Sequence, residues 1–145
     1  MLFDFWVSSR MELSFEGRRV CLETVRTIAE LAEKAGKNGI SALEDEMEAL
    51  DNIFFKTAVR LLVDGMREDE IRKILQNYII TGNFRGRELF RRILIMEGIL
   101  AIQHGYNSRF IVYELLASYF GEEFLPEYMA AADKLILTGN KKSIL

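Results

Sequence analysis

The sequence predicts an all-α fold, a single-domain bundle of about seven helices arranged as helical hairpins. The first observation behind this is spacing: Leu22, Val25, Ile28, Ala29 and Ala32, and later Ile71, Ile74, Leu75 and Tyr78, recur at the period of a helix face. A second is that Ala, Leu, Glu, Lys and Arg, which lose little rotamer freedom in a helix, fill the positions between them. A third is that no segment alternates long enough to make a sheet.

Each element has its own start and stop signals. A first helix is expected from near Ser9 to near Ala35, ended by Gly36-Lys37-Asn38-Gly39, with Lys34 and Lys37 suiting the negative helix end. Ser41 and Glu44 have capping-box spacing, which predicts a short acidic α-helix over Ala42 to Leu50. Asp51 is placed as the cap of a third helix, Asn52 to Asp64, stopped by Gly65. A fourth covers Glu68 to Ile80 and stops near Gly82; a fifth runs from Arg87 to Gln103 or His104 and stops at Gly105. Asn107 caps a sixth, Ser108 to Phe120, and Pro126 suits the first turn of a seventh that ends at Gly139.

Composition bounds function. The chain has 145 residues, half of them apolar and 28% charged, with one proline, so it can bury a core without a disulfide or metal staple. Its 19 basic and 22 acidic residues leave a net charge of −3, which argues against nucleic acid as a partner. The longest stretches free of Asp, Glu, Lys and Arg are 74–84 and 98–108. A membrane-spanning helix takes about twenty apolar residues, so the chain is not expected to span a bilayer. With one cysteine and no recognisable export signal, the expected compartment is the cytoplasm.

Leu61-Leu62-Val63-Asp64-Gly65, followed by Ile71 and Leu75, has the spacing of Ala101-Ile102-Gln103-His104-Gly105, followed by Ile111 and Leu115, forty residues later. Both an internal duplication and the commonness of helix–glycine–helix units account for this.

Leu31 to Ala35, then Gly39-Ile40-Ser41-Ala42-Leu43-Glu44-Asp45-Glu46, Phe55, Leu61 to Gly65 and Glu70 to Leu75 resemble the cytoplasmic region of the MotA family, the ion-channel subunit of the bacterial flagellar stator. Glu97-Gly98-Ile99-Leu100-Ala101-Ile102-Gln103, then Gly105, Asn107, Arg109 and Leu115-Leu116, is similar to the segment after that family's last membrane helix. In the family two membrane helices separate these blocks; here only Thr81 to Gly86 does, so no ion path is expected and the chain alone generates no torque. The resemblance implies contacts with a rotor switch protein or other stator proteins, and a place at the inner face of the cytoplasmic membrane. Glu44 matches the family's acidic contact. Gly36 stands where the family has an arginine, with Lys34 and Lys37 nearby, and Arg67 and Ser108 replace what resemble an Asp cap and a proline. The missing cap is expected to cost about 1 kcal/mol.

Glu44, Asp45, Glu46, Glu48 and Asp51 concentrate acid in one segment, which steers a basic partner or simply forms a solvated face. Arg85, Arg87, Arg91 and Arg92 oppose the dipole at the start of the fifth helix. That pattern suits an acidic partner, a second subunit, a phosphate or a lipid headgroup. The plainer reading pairs them with the chain's own acids between Glu44 and Asp51. The protein-interaction residues expected are therefore Lys34, Lys37, Glu44, Asp45, Glu48, Arg85, Arg87 and Arg91.

His104 stands alone, so neither a di-iron bundle nor an oriented general base can be assembled, and it is read as part of a last helical turn. Cys21 is read as a structural thiol and Tyr113, Tyr119, Phe120, Phe124 and Tyr128 as core. The glycines around Gly82-Asn83-Phe84-Arg85-Gly86 follow no strand and make no nucleotide loop. No cofactor, metal or catalysis is expected. Met1 to Phe15 is too apolar to stay free and must pack on its own bundle, a second copy or a membrane; packing on protein is preferred, with self-association its sharper form. The expected function is a non-enzymatic, flagellar-motor-related interaction domain binding charged partner surfaces; the alternative is a motility-unrelated adaptor or self-assembling module.

Overall fold

The computed structural model describes residues 2–134, and among these every regular element is helical. The elements are α1 (Leu2–Ser8), α2 (Phe15–Val20), α3 (Leu22–Asn38), a 3₁₀ helix (Ile40–Ala49), α4 (Ile53–Val63), α5 (Glu68–Gly82), α6 (Gly86–His104), α7 (108–120) and α8 (Leu125–Ala132). The all-α bundle expected from apolar spacing is what forms.

Its organising element is α6, buried almost all round, as a helix with apolar residues on every side must be. It packs against α3, α4, α5 and the π turn of α7. The approach of α3 is set by Gly98: a Cβ there would lie 2.8 Å from both Cδ1 and Cγ2 of Ile28, which is fully buried. Phe120 links the far end of the core, with ring centroids 4.9 Å from Phe90, 5.7 Å from Phe124 and 4.8 Å from Tyr128.

The two glycine turns forty residues apart close alike. Met66 N–H donates to Leu61 O and Tyr106 N–H to Ala101 O, both at 3.2 Å, while Gly65 and Gly105 N–H donate to Leu62 and Ile102 O, both at 3.1 Å. Each glycine has positive φ, +80° and +98°, a conformation that costs other residues a Cβ clash.

Several boundaries differ from expectation. The single helix expected from Ser9 to Ala35 is instead a turn after α1, then α2 and α3. Ser14 Oγ accepts from Gly17 N–H at 3.0 Å and starts a fresh helix, and Cys21 joins α2 to α3. Arg18 ties this break down by donating to Leu13 O at 2.6 Å and Phe120 O at 3.0 Å. The helix before it exists because Phe3, Trp6, Val7 and Met11 find cover on the chain's own core, leaving Phe5 exposed.

The segment expected as an acidic α-helix is 3₁₀, and the Ser41–Glu44 capping box does not form: Gly39 is the cap and no side chain caps it. Asn52 rather than Asp51 caps α4, its Oδ1 accepting from Phe55 N–H at 3.0 Å. At Arg67, Glu70 accepts the backbone N–H at 3.0 Å, supplying half of what the missing Asp would have done. Asn107 caps α7 as expected, at 2.8 Å to Phe110 N–H. Inside α7, Ile111–Leu116 widens to a π turn, where the buried Tyr128 hydroxyl donates to Val112 O. Pro126 lies in the first turn of α8; the expected end at Gly139 lies outside the described residues.

Candidate functional site

Charge gathers where the α3–3₁₀ turn, the 3₁₀ helix and the start of α6 face solvent. In a 3₁₀ helix residues three apart eclipse one another. Ile40, Leu43, Glu46 and Ala49 therefore share a row, with Leu43 fully buried, while Asp45 and Glu48 share an outward row. One expected acidic face thus becomes several, each with its own environment.

Glu46 turns back to α3, where its carboxylate lies 2.7 Å from Lys34 Nζ, and Asp45 lies 4.0 Å from the same nitrogen. Donating a hydrogen bond to Glu46 raises the Lys34 pKa above its ordinary value. Glu44 lies 3.5 Å from Arg60 on α4, and Asp51 lies 3.1 Å from Arg91 on α6. Among the described residues Glu48 meets no cation within 4 Å. Lys37 lies 3.6 Å from Glu33, whose other oxygen accepts from Ser108 Oγ at 2.9 Å.

The basic cluster also divides. Arg91 and Arg92 fold onto the protein, Arg92 with its guanidinium 3.0 Å from Glu88 and 3.6 Å above the Phe84 ring. Arg85 and Arg87 are exposed and, among the described residues, pair with no carboxylate. The acidic and basic segments meet only at Asp51–Arg91. Of the eight expected interaction residues, the structure thus brings Lys34 to Asp45, sets Lys37 beside Glu33, and ties Glu44 to Arg60 and Arg91 to Asp51. It leaves Glu48, Arg85 and Arg87 outward. Arg60 and Thr24 were missed: Arg60 sits sixteen residues from its acid, and Thr24 carries no motif.

Beside this face lies a groove of about 670 Å³ between the start of α3, the end of the 3₁₀ helix and the start of α6. Cys21 is on its floor, 2% exposed, and burial pushes its thiol up to about 11 despite Arg91 and Arg87 nearby, which suits a structural thiol. His104 ends α6 as expected, its Nδ1 3.9 Å from Glu68. Among the described residues no three metal-ligating side chains of His, Cys, Asp or Glu converge, and no helix is long and apolar enough to cross a membrane.

Fold and face define a class: an all-α bundle whose mixed charges are concentrated around one turn and one helix start. The chain is 43% identical to Motility protein A of Borreliella burgdorferi over 51 residues, 35% of this chain and 20% of that protein. It is 38% identical to Motility protein A of Treponema phagedenis and 36% identical to that of Treponema pallidum, each over 55 residues, 38% of this chain and 21% of those proteins. The chain therefore spans about a fifth of the length of the curated relatives it matches. The relationship supported is a partial one, at the level of that family. No family model matches the chain, and no solved structure matches it.

Proposed function

We propose that this chain is a flagellar-motor-related interaction module that works by contact, without catalysis, against charged surfaces of rotor switch or stator proteins. The similarity to Motility protein A carries the motor assignment. The contact surface is the outward row of Asp45 and Glu48 with Glu44, flanked by Lys34 and Lys37, together with Arg85 and Arg87. Arg60–Glu44 is a solvent-facing pair with both side chains about half exposed, so a partner of complementary charge can exchange it at little cost. The likeness to Motility protein A supports, in this reading, a place for the module at the inner face of the cytoplasmic membrane.

A fluorescent fusion expressed in native motile cells tests the placement. Foci at flagellar bases, lost on Glu44→Lys with Asp45→Lys, are expected; a uniform distribution unaffected by the reversal contradicts the proposal.

A further inference from the structure

The groove beside the basic cluster holds three groups that the fold leaves unanswered. Thr24 lies on its wall, 6% exposed, and no described residue hydrogen-bonds its hydroxyl. Threonines 27, 57 and 81 each bond a carbonyl four residues back, so Thr24 lacks the partner its helical neighbours find. Arg87, at the start of α6, also lines the groove and is an exposed residue that meets no carboxylate among the described residues. Arg91 spends one nitrogen on Asp51, while its Nε is buried without a partner.

Between these polar groups the wall is apolar, formed by Val20, Leu50 and Phe55, with Val20 45% exposed. The groove's own acids limit what enters. Glu88 is engaged with Arg92 and Asp51 with Arg91, but Glu23 meets no cation among the described residues. A dianion such as phosphate meets that repulsion twice over and finds one free guanidinium, whereas a carboxylate meets it once and matches Arg87 with two parallel hydrogen bonds.

We propose that this groove binds an acidic segment of a partner protein, an Asp or Glu carboxylate seated on Arg87 and Thr24 with a neighbouring aliphatic side chain on the Val20–Phe55 wall. This goes beyond the proposed function: it shares Arg87 with that contact surface but uses neither Glu44 nor Asp45, and it holds whether or not the partner is a motor protein.

Amide chemical shifts of the full chain are followed during titration with acetyl-Leu-Glu-Leu-amide, with acetyl-Leu-Gln-Leu-amide, and with inorganic phosphate. Binding of the glutamate peptide is expected to move the amides of Thr24, Arg87 and Arg91 and to weaken with salt. Its affinity should fall about tenfold in Arg87→Gln and about threefold in Thr24→Val. Lys73→Gln, an exposed position on α5 that does not line the groove, should leave it unchanged, and all three variants should keep the parent melting temperature. The proposal is overturned by absence of binding at millimolar peptide, by equal binding of the glutamine peptide, by shifts clustered elsewhere, or by phosphate binding the site more tightly than the peptide.

Discussion

Arg72 on α5 and Glu97 on α6 form a two-pronged ion pair, Nη1 to Oε2 at 3.0 Å and Nη2 to Oε1 at 3.4 Å, with the Glu97 side chain only 17% exposed. It lies across the seam where the edge helix meets the central one. Breaking one partner of a fully buried pair costs about 3–5 kcal/mol, and solvent reaching Arg72 lowers this to about 1–2 kcal/mol. Glu97→Leu and Arg72→Met should each destabilise by that amount in urea unfolding, while the double variant should lose less than the sum. Strict additivity would show that the pair is not coupled.

Gly98 makes a sharper packing test. Alanine there gains about 1 kcal/mol of helix propensity, yet its methyl would press 2.8 Å from a fully buried Ile28, and such overpacking costs about 1–3 kcal/mol. Net destabilisation is expected from thermal unfolding of Gly98→Ala. Adding Ile28→Val, which removes Cδ1, should restore part of it, although Ile28→Val alone destabilises.

Two other glycines should respond with opposite signs. Gly105 has φ +98°, so Gly105→Ala should cost about 1 kcal/mol. Gly36 lies inside α3 with open space where a Cβ would go, so Gly36→Ala should stabilise by about 0.5–1 kcal/mol. Denaturant midpoints of the two variants check both.

Burial holds the Cys21 thiol neutral, with its pKa raised from 9.0 to about 11 in the folded chain. The folded state thus binds this proton more tightly than the unfolded one. The resulting stability is fully present below pH 9.0 and is lost as pH rises from there towards about 11. Cys21→Ala should flatten stability against pH in that window relative to the parent, and native Cys21 should react with iodoacetamide far more slowly at pH 8 than in urea. An equal slope in both proteins would contradict the assignment.

The fold was legible where local signals agreed with packing. Asn107, Gly65, Gly105 and Pro126 each sit where capping chemistry placed them, because a cap is satisfied by its nearest neighbours. The boundaries at Ser14 and Cys21 were hidden inside a continuous helical period, and Arg18's bond to Phe120 O spans 102 residues, beyond any local pattern. The acidic segment misled: Ser41 and Glu44 have capping-box spacing, but the segment, packed against both α3 and α4, is 3₁₀ and starts at Gly39 with no side-chain cap. The same tightening moved Glu46 inward and Asp45 and Glu48 outward, which α-helical spacing does not give. Residue counts exposed the charge clusters; only the fold assigned Glu44 to Arg60 and Asp51 to Arg91 and left Arg87 alone.

The most direct measurement is affinity co-purification of the tagged chain from its native cells at low salt, beside a duplicate carrying Glu44→Lys and Asp45→Lys, with mass spectrometry of the captured proteins. Rotor switch or stator proteins should be recovered with the parent and lost from the charge-reversed duplicate or at high salt. Recovery of the chain alone, or of the same unrelated proteins in both samples, would contradict a motor role carried by this charged face.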